Sequence, residues 1–104
     1  MEYRNVKIED TGISIDIPLL LMDNPKDLKS PENRRIVFKA IVHAAFMMDN
    51  NDLKSVPCFI INDIQYDIDR IGIEDNLNEA LDYYTELEDY ELCISINNLK
   101  SKLC

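Results

Sequence analysis

Glycine is scarce. The 104 residues hold two glycines and four prolines, too few for a collagen-like repeat or a Pro/Gly-rich disordered chain. Gly12 and Gly72 stand too far apart to build a phosphate loop. Cysteine is odd in number: Cys58, Cys93 and Cys104 are widely spaced, which fits reduced thiols rather than a disulfide framework, and no pair has zinc-finger spacing. The single histidine, His43, has no Ser or Cys near it at the spacing of a nucleophile and its base. Asp63, Asp67 and Asp69 lack the glycine and closing glutamate of a calcium loop. Val56-Pro57 precedes an apolar run, as in thioredoxin-like domains, but the Cys-x-x-Cys partner is missing. No catalytic residue, metal or cofactor is therefore expected, and the chain reads as a non-enzyme.

Long hydrophobic stretches are also missing. Apolar runs such as Leu19 to Met22 are short, and the N-terminal MEYRNVKIED carries no hydrophobic segment behind its charges, so neither a membrane span nor a secretory signal is expected. The expected setting is the cytoplasm, or a virion if the chain is phage-encoded. An Ile-, Asn-, Asp- and Lys-rich composition is compatible with an AT-rich genome, phage included. Bases are few: eleven against twenty acids give a net charge of −9, which repels nucleic acid and anionic membranes. The basic cluster is Arg34, Arg35 and Lys39. The charge favours basic proteins as partners.

What remains is the pattern of one folded domain spanning 1–104. Val6 and Ile8, then Glu9-Asp10-Thr11-Gly12, then alternating Ile13, Ile15 and Ile17, spell a β-hairpin. Pro18 is expected to end its second strand, with Leu19 to Met22 turning into the core and Asn24-Pro25 starting a single helical turn. Ser30-Pro31-Glu32 is a helix start, and the spacing predicts a helix over about 31–48. Its apolar residues cover most of the circumference, leaving Arg35, Lys39 and His43 as a narrow polar stripe, so other elements or a partner must cover it. Asp49-Asn50-Asn51-Asp52 should stop it. A second, short hairpin is predicted over about 58–69, turning at Asn62-Asp63, with Ile64, Tyr66 and Ile68 alternating against polar residues.

The helical period returns at about 74–103. Leu77, Ala80, Leu81, Tyr84 and Leu87 share one face; Leu92, Cys93, Ile96, Leu99 and Leu103 share the next. A linker at Leu87-Glu88 makes these an antiparallel helical hairpin. The predicted fold is thus α+β, with a mostly helical domain carrying extended arms as the competing reading. Residues 82–93, DYYTELEDYELC, place three tyrosines among five acids, and from Glu74 to Glu91 there are eight acids and no base. That excess exceeds what helix capping requires. It points to partner binding at Tyr83, Glu86, Glu88, Asp89, Tyr90 and Glu91, since tyrosine with complementary charge serves recognition. A solvated acidic face is the plainer alternative.

Residues 77–103, LNEALDYYTELEDYELCISINNLKSKL, resemble the UVR motif, a helical hairpin of the excision-repair proteins UvrB and UvrC and of some bacterial protease adaptors. Ala80, Asp89, Tyr90, Glu91, Cys93, Ile96 and Leu103 occupy positions of that pattern, while Ile94 replaces a small residue and Asn97-Asn98 stand where Arg-Asp is usual. The resemblance implies a protein-docking module without catalysis of its own. Three functions follow from these readings: an adaptor or regulator docking through the hairpin; a structural subunit of an assembly such as a phage virion, burying the central helix against neighbours; and an acidic DNA mimic. The oligomeric state stays open.

Overall fold

The computed structural model describes residues 2–8 and 10–104. Strands β1 (Tyr3–Ile8) and β2 (Ile13–Leu20) form the first hairpin; a 3-10 turn (Pro25–Lys29) leads to α1 (Pro31–Asn50). Strands β3 (Ser55–Ile61) and β4 (Ile64–Asp69) form the second hairpin, and a short 3-10 turn (Arg70–Gly72) leads to α2 (Ile73–Glu86) and α3 (Tyr90–Leu103). The α+β architecture matches the sequence reading. Both hairpins join one sheet in the order β1-β2-β3-β4, because β2 runs parallel to β3 at Leu19–Leu20 against Ile60–Ile61. Sequence patterning did not signal this parallel join, which spans only those pairs. α1 is its crossover, the long connection that parallel strands require.

Glycine scarcity shapes the turns. The left-handed region is occupied by Asp10, Asp52, Asn62, Asp63 and Glu88 as well as Gly12. Asp and Asn tolerate that region because their short polar side chains bond locally; glutamate does so much less readily. Asn62 (φ 49°) and Asp63 (φ 67°) make the two-residue turn of the second hairpin, with positive φ at both central positions. Asn62 also ties strand to strand. Its amide nitrogen donates to Met22 O and its Oδ1 accepts from Met22 N, both at 2.8 Å. In the first hairpin the predicted turn residue Glu9 lies outside the described residues.

Several expectations need correction. Pro18 does not end β2, which continues to Leu20. Leu19 N–H donates to Glu2 O, so by alternation the missing amide of Pro18 faces away from β1, before pairing with β3 begins, and no ladder bond is lost. Leu21 does not enter the core; it is 87% exposed. Pro57 sits inside β3, beside the register irregularity between Pro57 and Phe59, a position that excuses a missing donor. Of Ile64, Tyr66 and Ile68 only Ile68 is buried: it pairs with buried Val56 before the register irregularity between Pro57 and Phe59, whereas Tyr66 and Ile64 pair beyond it with Phe59 and Ile61 and are exposed on the edge strand. α1 runs to Asn50, past Met48.

Ser30 Oγ caps α1 by accepting from Asn33 N at 3.3 Å. Ala40, Ile41, Val42, Ala44, Ala45 and Met48 of α1 are buried in a cluster shared with Ile15, Ile17, Val56, Cys58 and Ile60 of the sheet and Leu77, Ala80, Ile96 and Leu99 of α2 and α3. Sheet and helical hairpin therefore cover α1 from different sides, while Arg35, Lys39 and His43 stay exposed as the pattern required.

Candidate docking surface at the helical bend

α2 and α3 fold back on one another as an antiparallel hairpin joined by Leu87, Glu88 and Asp89, one residue more than the sequence suggested. The join is a complete Schellman motif: Glu88 N donates to Thr85 O and Asp89 N to Tyr84 O, both at 3.0 Å. Glu88 occupies the left-handed position (φ 59°) where glycine is usual. Asp89 then caps α3, its carboxylate accepting from Leu92 N at 3.3 Å. α1 ends in the same way, with Asp52 N donating to Asp49 O and Leu53 N to Met48 O, but there Asp52 (φ 51°) is held by Arg70 Nη1 at 2.8 Å. Among the described residues Glu88 has no such basic partner.

The tyrosines divide. Tyr83 was expected to expose a ring face; it is 8% exposed and stacks on Phe38 with centroids 4.6 Å apart. The Arg34 guanidinium lies 5.2 Å from the Tyr83 ring centroid and 6.0 Å from that of Phe38. Tyr83 cannot anchor a partner. α2 lies against both α1 and α3, so its buried face is wide enough to take both residue 83 and residue 84. Tyr84 meets Tyr83 edge-on at 5.0 Å, and burial, then the neighbouring Tyr83 and Asp89, push its hydroxyl up to about 12. Thr85 Oγ1 donates to Leu81 O at 2.7 Å and lies 3.5 Å from Cys93 Sγ, linking the helices below the bend.

Glu86, Glu88, Asp89, Tyr90 and Glu91 are all exposed at the bend. With them stand apolar side chains: Tyr90, expected at the surface, is 61% exposed, and Leu87 and Ile94, which the sequence reading did not assign there, are 57% and 63% exposed. Tyr90 and Ile94 are four apart on one face of α3, and Leu87 sits in the adjoining bend. Leu87 was expected inside, as the last member of the α2 face. α2 ends at Glu86 and the chain reverses immediately, which carries Leu87 out of that face. Ile94 could have been found: it falls off the face formed by Cys93, Ile96, Leu99 and Leu103.

The electrostatics of the bend are less one-sided than α2 alone suggests. Glu86 lies at the negative end of α2, an unfavourable position, but Glu88, Asp89 and Glu91 also stand at the positive end of α3, which favours them. The left-handed strain at Glu88 has no such offset.

Elsewhere, Cys58 is buried, and desolvation followed by the charge of Asp67 pushes its thiol up to about 12, so it stays protonated and unreactive. Among the described residues no cluster of three or more His, Cys, Asp or Glu side chains forms a metal-binding group. No helix among them is long and apolar enough to cross a membrane. Compared with protein-family models, with curated proteins and with solved structures, the chain matches none of them.

Proposed function

We propose that the chain is a small non-catalytic adaptor or regulator that docks, through the bend between α2 and α3, on a basic surface of a larger protein. The observation that carries this reading is the conjunction of exposed Leu87, Tyr90 and Ile94 with exposed Glu86, Glu88, Asp89 and Glu91. An apolar centre rimmed by charge of one sign is the composition of a recognition surface: burying the centre supplies affinity, and the rim steers encounter and selects a basic partner. The likeness of 77–103 to the UVR motif, a docking hairpin, supports the same end of the molecule. So does Glu88, a strained glutamate at a position that glycine would fill more easily; such outliers gather where function fixes the residue.

The test is capture from the native host by wild-type chain and by a variant with Leu87→Ser, Tyr90→Ser and Ile94→Ser. All three side chains are largely exposed, so the variant keeps its melt. Removing hot-spot contacts of about 2 kcal/mol or more should eliminate capture of the specific partner. Equal capture by both proteins removes the bend from consideration.

A second reading, a subunit of a larger assembly, has its own support. Phe59 and Ile61 of β3 pair with Tyr66 and Ile64 of β4, which places the four on one sheet face opposite buried Ile60, and Ile64 and Tyr66 are exposed. Such a face suits burial against a neighbouring subunit. Sedimentation across a hundredfold range of concentration discriminates: the adaptor reading expects a monomer throughout.

A further inference from the structure

We propose that the cleft between α1 and the first hairpin binds a small organic phosphate, an anionic head held by α1 with a hydroxyl-bearing body resting on the hairpin. Arg35, Lys39 and His43 recur every fourth residue on one exposed face of α1 and line a cleft of about 490 Å³ whose other wall is Tyr3, Asp16 and Pro18. That volume is within the range of small-molecule sites, roughly 300–1,000 Å³. Steps of four residues make the three side chains leave α1 about 6 Å apart along its axis, within the reach that lets neighbouring heads converge on one phosphate group.

The ion pairs among the described residues are Arg70 with Asp52 and Lys102 with Asp49, so within that set neither Arg35 nor Lys39, nor the His43 ring beside them, takes part in one. Arg34, the preceding residue, is committed to the Phe38 and Tyr83 rings, so α1 assigns its adjacent arginines to different tasks. Stacked like charges on one helix face are mildly unfavourable without an anion to bridge them. Guanidinium and ammonium groups together match the three acceptor oxygens of a phosphate better than a lone carboxylate.

The opposite wall sets the body of the ligand. Asp16 Oδ1 accepts from Asn5 Nδ2 at 2.9 Å, and its other oxygen receives no hydrogen bond from a described residue. It repels a second negative group and accepts from a hydroxyl. Pro18 and the Tyr3 ring, paired across β1 and β2, offer an apolar shelf beside it. A nucleoside monophosphate has this arrangement: phosphate, sugar hydroxyls and a flat base.

His43 is the only histidine, so its ring protons report on the cleft without ambiguity. The full chain is titrated with adenosine monophosphate by proton NMR at fixed pH and ionic strength, with adenosine and inorganic phosphate in parallel. Expected is a saturating shift of the His43 signal with the nucleotide, at least tenfold weaker binding of inorganic phosphate, and none of adenosine over the same range. Arg35→Ala with Lys39→Ala weakens the nucleotide at least tenfold while the melt is unchanged; should that double variant lose its fold, Lys39→Gln alone still weakens it severalfold. Asp16→Asn weakens the nucleotide but strengthens inorganic phosphate, opposite signs that a merely structural role would not give. A linear shift matched by sodium chloride, equal binding of adenosine, inorganic phosphate binding as tightly as the nucleotide, or an unchanged response in the cation variants overturns the proposal.

Discussion

Glu88 is the residue most at odds with its backbone. At the left-handed position of a Schellman motif, a glutamate gives up stability that glycine would return, and Glu88→Gly should raise the unfolding free energy by about 1 kcal/mol in urea denaturation. Under the docking account the same change weakens partner capture, so stability and binding move in opposite directions. Buried ionisable groups make a separate prediction. The Cys58 thiol and Tyr84 hydroxyl are both held neutral, with folded values raised to about 12 from 9.0 and 10.0. In the unfolded chain they lose protons first, so their contribution is complete below about pH 9 and is lost as pH rises through 9 to 12. The melting temperature should fall steeply over that window, and Cys58→Ala should make the fall shallower. A flat profile from pH 9 to 11 would contradict the burial assigned to both groups.

Among the elements, the second hairpin shows how far patterning reaches. Asn62-Asp63 was legible as a turn, and the structure gives it the paired left-handed geometry such turns need. The bonds from Asn62 to Met22 were not legible, since they join residues forty apart in the chain. Asn62→Ala loses a left-handed former and both bonds, and should cost about 2 kcal/mol, read from thermal or urea unfolding. Helices α1, α2 and α3 were legible because their caps and apolar spacing are local signals, Ser30-Pro31 and Asp89 above all. The errors fell where tertiary placement decides. Tyr83 and Tyr84 are adjacent in sequence and alike in chemistry, yet which of them faces α1 depends on the presence of Phe38 and Arg34. Asp89→Ala removes the α3 cap and should cost about 1 kcal/mol in urea unfolding, and, because Asp89 is also one of the rim acids, it should weaken partner capture as well.

At the scale of the whole molecule, α1 decides between an autonomous domain and a fragment of an assembly. Its near-continuous apolar surface demanded cover, and the chain supplies that cover itself through sheet and helical hairpin. Among the large apolar side chains that stay exposed, Leu87, Tyr90 and Ile94 gather at the bend and Ile64 and Tyr66 on β4, while Tyr3, Leu21, Leu28, Phe46 and Ile71 are scattered elsewhere. Charge is also divided: Glu86, Glu88, Asp89 and Glu91 crowd the bend of the helical hairpin, Glu74 and Asp75 stand at the far end of α2, and Arg35 and Lys39 of α1 face a cleft of their own. The sequence could show the acidic excess, Tyr90 and the off-face Ile94 but not Leu87, which becomes a surface residue only through the tight reversal at Glu88. Raising salt from 50 to 500 mM should weaken partner capture severalfold through screening of the rim, with the apolar contribution remaining.

The docking account is tested most directly by hydrogen–deuterium exchange on the complex with the captured partner, compared with the free chain. Protection gained across the end of α2, the bend and the first turns of α3, roughly residues 84–95, is the predicted result. Protection confined to β3 and β4, with exchange at the bend unchanged, would contradict it.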